Sequence, residues 1–134
     1  MMSCRLMITD DSRVTFAEMK RMLEGTQIEI VQYCRSGEEA IEAYAQVRPD
    51  VTTMDIVMPG MDGLETARRI LDKWPEARIL MVSSLAYDDT IEIARTLGTK
   101  GFLFKPFTRE ELIRTILMAA EQTAPPEADV LLPV

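Results

Sequence analysis

Residues 6–23 read Leu6-Met7-Ile8-Thr9-Asp10-Asp11-Ser12-Arg13-Val14-Thr15-Phe16-Ala17-Glu18-Met19-Lys20-Arg21-Met22-Leu23. A short unbroken apolar run is followed by a polar break, and then by Phe16, Met19 and Leu23 at the spacing of one helical face. An apolar run without alternation suits a strand covered on both faces. The same unit recurs along the chain. Ile28–Val31, Val51–Met54, Ile79–Val82 and Phe102–Phe104 are further strand candidates. The stripes Ala40/Ile41/Tyr44/Val47, Leu64/Ala67/Leu71/Trp74, Ile91/Ala94/Leu97 and Leu112/Ile113/Ile116/Ala120 are the intervening helices. Ser36-x-x-Glu39 and Thr108-x-x-Glu111 are capping boxes, and Asp62-x-x-Glu65 is a similar start with Asp as cap. Gly25 and Gly98 sit where helix C-caps belong. The βα alternation predicts a parallel sheet with helices on both faces.

Composition narrows the chemistry. The chain has 134 residues, enough for one domain. Fifteen Lys and Arg against twenty-two Asp and Glu leave a formal charge of −7, which gives no counterion-release affinity for nucleic acid. There is no histidine, so Ser-His-Asp and Cys-His catalysis, His-containing metal sites and phosphohistidine on this chain are excluded. Cys4 and Cys34 lack the spacing of a zinc or redox motif and lie in apolar runs, which reads as buried small hydrophobes in a reducing cytosol. No stretch is long enough to span a bilayer and no signal peptide is evident. A cytoplasmic location is the expectation. Residues 1–122 read as one domain. The segment 123–134, beginning around Ala124-Pro125-Pro126-Glu127, has no period and reads as a C-terminal tail or the start of a linker.

In an open parallel sheet, ligands bind beyond the carboxyl ends of the strands, where the strand order reverses. Those ends carry Asp10 and Asp11, then Asp55, then Ser83 and Ser84, then Lys105-Pro106. Three converging carboxylates repel one another unless one is protonated or a cation compensates. Mg²⁺ prefers such oxygen ligands. Asp55 beside a cation and a lysine is placed as a nucleophile toward phosphorus, with Lys105 and Ser83 on the phosphoryl oxygens. Taken singly, each feature has an ordinary reading. Asp10-Asp11-Ser12 is also a helix cap, Asp55 a loop carboxylate, and Ser83-Ser84 a turn. The functional reading rests on all of them falling at successive strand ends.

As a set, Asp10-Asp11-Ser12, Met54-Asp55-Ile56-Val57-Met58-Pro59-Gly60-Met61-Asp62-Gly63, Val82-Ser83-Ser84 and Lys105-Pro106-Phe107 resemble the motifs of response-regulator receiver domains, the CheY-like family of two-component signalling. The likeness runs from about Arg5 to Gln122. It implies a doubly wound (βα)5, flavodoxin-like three-layer sandwich with strand order 2-1-3-4-5. It implies that Asp55 accepts the phosphoryl group. Asp10, Asp11, Asp55 and the backbone carbonyl of Val57 hold Mg²⁺, with Mn²⁺ as a substitute. Ser83 is the switch hydroxyl and Lys105 binds the phosphoryl group. Phe102 is the switch aromatic, turning inward when Ser83 moves. Lys105–Pro106 is a cis peptide.

The implied partners are a histidine kinase or phosphotransfer protein and a downstream protein that binds residues 86–122 (the α4-β5-α5 surface). The implied oligomeric state is a monomer or a phosphorylation-linked dimer. The implied activity is a switch, not a multiple-turnover enzyme. The alternative is the receiver portion of a longer regulator. Two positions depart from common family usage. Val57 and Leu85 are apolar where many members are polar, which predicts slow dephosphorylation. Thr52-Thr53 replaces the usual aliphatic third strand, and each hydroxyl then needs a partner if buried.

A flavodoxin-like electron carrier is disfavoured because Asp10 and Asp11 would repel a flavin phosphate. An aspartyl-phosphate hydrolase is disfavoured because Val57 stands where its second Asp would be. A degenerate receiver usually lacks one of the acidic or Lys positions, and all are present here.

Overall fold

A computed structural model describes residues 3–85 and 87–121. The tail expected at 123–134 lies outside the described residues. The elements alternate: β1 Cys4–Thr9, α1 Arg13–Met22, β2 Ile28–Cys34, α2 Gly37–Val47, β3 Val51–Asp55, α3 Gly63–Lys73, β4 Ile79–Ser83, α4 Asp88–Leu97, β5 Gly101–Phe104 and α5 Arg109–Glu121. All strand pairings are parallel and the order is β2-β1-β3-β4-β5. The fold is the doubly wound α/β sandwich.

The unbroken apolar runs have a direct cause. Alternate residues of each strand feed two separate cores. Met7, Met54, Ile79, Met81 and Phe102 pack with Ala40 and Tyr44 of α2, Ala67 and Ile70 of α3, and Ala94 of α4. Leu6, Ile8, Val51, Leu80, Val82 and Leu103 pack with Met19 of α1 and Leu112, Ile116 and Ala119 of α5. Where both faces are covered, a buried strand position cannot be polar without cost. Thr52 and Thr53 test that rule. Both are buried, and their hydroxyls, like that of Thr9, find no hydrogen-bond partner among the described residues. The partners expected for them are not supplied.

The helix starts follow their caps. Ser12, Ser36 and Asp62 each accept from the backbone N–H three residues on. Thr108 and Glu111 exchange two bonds, 2.8 and 3.1 Å, in a complete capping box. Gly98 (φ 99°) caps α4 in the left-handed region. Gly25 (φ 78°) instead stands two residues beyond the C-cap of α1, Leu23, and turns the chain toward β2.

The end of α2 carries no sequence signal, because its left-handed C-cap is Arg48 (φ 48°). Contacts hold that arginine in place. Its guanidinium lies 5.7 and 5.4 Å from the rings of Tyr44 and Trp74, and its carbonyl accepts from Arg5 at 2.8 Å. Both cysteines are buried and free, as their apolar settings predict. No described helix is long and apolar enough to cross a membrane.

Candidate functional site

The strand order reverses between β1 and β3, which lie side by side while β2 flanks β1 on its other edge. The crevice at their carboxyl ends is where a ligand belongs. Asp10 follows the last residue of β1 and Asp55 is the last residue of β3. Asp10, Asp11 and Asp55 each place one carboxylate oxygen within 4.8 Å of the other two. Asp10 and Asp55 are buried, and Asp11 is half-buried.

The cap reading of Asp10-Asp11-Ser12 resolves cleanly. Ser12 is the N-cap of α1, its Oγ accepting from Thr15 N at 3.2 Å. Asp10 Oδ1 accepts from Ser12 N at 2.8 Å, which fixes the turn that presents Asp11. Lys105 reaches the same acids from the end of β5. Its Nζ is 3.0 Å from Asp10 Oδ2 and 3.4 Å from Asp55 Oδ2. The Lys105–Pro106 peptide is cis.

The electrostatics follow from the crowding. Burial raises the Asp55 pKa above the ordinary carboxylate range and Asp10 raises it further, against the opposing pull of Lys105 and of Ile56 N–H. Ile56 N donates to Asp55 Oδ1 at 2.9 Å, which orients the carboxylate. Burial lowers the Lys105 pKa, but the hydrogen bond and charge of Asp10, together with Asp55, outweigh it, and the net shift is upward. An ammonium among three hard oxygen donors offsets only part of their charge. The donor set suits a small divalent cation such as Mg²⁺.

Ser83 ends β4 and is buried, its Oγ accepting from Leu85 N at 3.1 Å. Phe102 is 2% exposed and its ring lies 5.1 Å from that of Phe104. The ring assigned to the switch is turned inward in this structure. Val57 and Leu85 also differ from each other. Val57 is 60% exposed, whereas Leu85 packs partly against the α2–α4 core. A groove of about 660 Å³ opens beside Lys105, between α1 and the start of α5, lined by Thr15, Arg21, Met22, Phe107 and Arg109.

Two contributors were not singled out as site residues from the sequence. A Cβ on Gly63 would lie 1.9 Å from the carbonyl oxygen of Asp55, so only glycine lets the start of α3 seat against that strand end. Gly63 N donates to Ile56 O at 2.7 Å. The Asp62-Gly63 pair marked a helix start but carried no sign of this approach. Tyr33 is the second. Its hydroxyl donates to the Asp10 carbonyl at 2.9 Å.

Comparison with known proteins agrees with this geometry. The Response regulator receiver domain family matches residues 6–117. The chemotaxis protein CheY of Listeria monocytogenes is 33% identical over 117 residues, covering 87% of this chain and 98% of that protein. A protein-glutamate methylesterase/protein-glutamine glutaminase of Archaeoglobus fulgidus is 35% identical over 127 residues, but the match covers only 36% of its length. Among solved structures, the CheX-CheY-BeF3-Mg complex of Borrelia burgdorferi superposes with a TM-score of 0.85 at 26% identity, covering 90% of this chain and 92% of that one. The response regulator domain of Thermotoga maritima CheB gives 0.81 at 32% identity, covering 90% and 98%.

Proposed function

Because the chain belongs to the response-regulator receiver family, as a CheY-like domain and not a multiple-turnover enzyme, we propose that it is a signalling switch in which Asp55 accepts a phosphoryl group from a phosphohistidine on a partner kinase or phosphotransfer protein. The observation that carries this reading is the meeting of Asp10, Asp11 and Asp55 within 4.8 Å, with Lys105 Nζ at 3.0 and 3.4 Å from two of them. An Asp55 carboxylate oxygen forms the new O–P bond while the N–P bond of the donor breaks. The donor imidazole keeps the electron pair. The 134 residues carry no histidine, which fits a donor phosphohistidine that lies outside them.

Asp10, Asp11, Asp55 and the backbone carbonyl of Val57 would hold Mg²⁺, or Mn²⁺ in its place. The bound ion supplies positive charge to the phosphoryl oxygens in transit. Lys105 exchanges its contact with Asp55 for one with a phosphoryl oxygen, and Ser83 donates to another. Ser83 Oγ already accepts from Leu85 N–H and its own O–H is the donor, so a movement of Ser83 toward the phosphoryl group carries over to the segment after β4. Phe102 is the switch aromatic, and having no hydroxyl it answers the movement of Ser83 through packing alone. The downstream partner reads residues 86–122. The donor reaches Asp55 past the groove beside Lys105.

The second reading, a receiver within a longer regulator, is favoured by relatives such as the Archaeoglobus methylesterase, which devotes 36% of its length to the match. The same phosphorylation chemistry applies in either case.

Beryllofluoride, an acyl-phosphate mimic, tests the site. Mg²⁺-dependent binding by the wild type and none by Asp55→Ala, followed by ¹⁹F NMR, is the expected result. Equal binding by both proteins would refute the assignment of Asp55.

A further inference from the structure

The β1–β2 ladder contains one irregularity. Leu6 pairs with Ile30, but Met7 pairs with Gln32, so Val31 is an extra residue on β2. In unbroken register Tyr33 would stand beside Thr9. The insertion moves it beside Ile8 and turns its side chain to the α1–α5 face, where it packs against that core. A bulge re-aims side chains in this way.

The re-aimed ring stacks flat on Phe16 of α1, with centroids 3.9 Å apart and planes at 6°. Its hydroxyl then donates to the backbone carbonyl of Asp10 at 2.9 Å. Around it, Asp10 N donates to Cys34 O at 3.0 Å, and Arg35 Nη2 approaches Asp11 O at 3.4 Å. The end of β2 therefore grips the backbone of both β1-end carboxylates, while their side chains face the crevice.

We propose that Tyr33, set by the Val31 bulge and the Phe16 ring, is a positioning residue for the cation site. It fixes the Asp10 peptide so that the carboxylates of Asp10 and Asp11 are held ready for a divalent ion. The proposal rests on the reading of Asp10, Asp11 and Asp55 as that ion's ligands. Residues that orient ligands from behind commonly change metal affinity by tenfold or more when removed. The bond from Tyr33 is to a carbonyl that lies outside the carboxylate cluster, so its loss leaves every proposed side-chain ligand in place.

The test is Mg²⁺ titration by calorimetry of the wild type, Tyr33→Phe and Phe16→Leu. Thermal unfolding in EDTA and the amide NMR signals of Asp11 and Ser12 serve as companion readouts. Tyr33→Phe keeps the stacked ring and removes only the hydroxyl. The expected result is Mg²⁺ affinity about tenfold weaker, a melting point in EDTA close to wild type, and shifted Asp11 and Ser12 amides. Phe16→Leu, which keeps the hydroxyl but loses the flat support, should weaken affinity in the same direction. Wild-type affinity in Tyr33→Phe would overturn the proposal while leaving the cation site standing. Affinity lost only in proportion to a lowered melting point would overturn it too. Absence of Mg²⁺ binding by the wild type would overturn both the proposal and the reading beneath it.

Discussion

Replacing Gly63 by alanine puts one methyl group where the fold has no room. The added carbon would lie 1.9 Å from Asp55 O, 2.7 Å from Asp55 C and 2.8 Å from Ile56 Cα, all backbone atoms. Ordinary contact begins near 3.4 Å, so α3 and the end of β3 must separate by about 1.5 Å along the worst vector. Overpacking of this kind costs about 1–3 kcal/mol. Stretching the Gly63 N to Ile56 O bond adds about 1 kcal/mol. Alanine's better helix propensity returns about 0.5–1 kcal/mol. The net expectation is a loss of about 1–3.5 kcal/mol in urea unfolding. The functional loss should be larger. The strain falls on the carbonyl of the acceptor residue itself, and a misplacement of about 1 Å costs roughly a hundredfold in rate. Phosphorylation by a small phosphodonor, followed by intact mass under conditions where the variant remains folded, measures it. Wild-type stability and wild-type rate in Gly63→Ala would refute the reasoning.

Asp55→Asn should stabilise the metal-free protein at pH 7, by about 1 kcal/mol. Asp55 has a folded-state pKa raised above its ordinary 3.8, chiefly by burial. Its contribution is fully present below that ordinary value and is lost as pH rises through the raised one. The gap between variant and wild type should therefore open with rising pH across that window, and a gap independent of pH would contradict the assignment. Thr52→Val removes a buried hydroxyl that has no partner among the described residues and should stabilise by about 1 kcal/mol, read as a higher urea midpoint with unchanged slope. Val57→Asn places a polar group at an exposed position two residues from Asp55 and should shorten the lifetime of the aspartyl phosphate by roughly tenfold or more. Leu85→Glu in addition should cost stability, because Leu85 packs on the core. An unchanged lifetime in the double variant would remove these side chains from the control of hydrolysis.

Much of this architecture is legible in the sequence. Strands covered on both faces announce themselves as unbroken apolar runs, and Leu6-Met7-Ile8 and Ile79–Val82 did so because each residue feeds one core or the other. The carboxylates, Ser83 and Lys105 were visible because strand ends are predictable once strands are, and a parallel sheet gathers those ends on one rim. What stayed hidden depends on distances between segments remote in sequence. Gly63 looked like a turn residue until the Asp55 carbonyl was found against it. Tyr33 could not be aimed from periodicity, since a single extra residue at Val31 reverses which face it takes. Arg48 gave no sign of ending a helix, because its left-handed backbone is held by Tyr44, Trp74 and Arg5. Phe102 is buried, as its apolar run implies, and its part in the switch is carried by the family resemblance alone.

The most direct test of the central claim is the intact mass of the protein after incubation with a small phosphodonor, with Mg²⁺ and with EDTA. The account predicts one added phosphate in the presence of Mg²⁺, little in EDTA, and none in Asp55→Ala. An unmodified wild-type protein, or a phosphate that persists in Asp55→Ala, would contradict it.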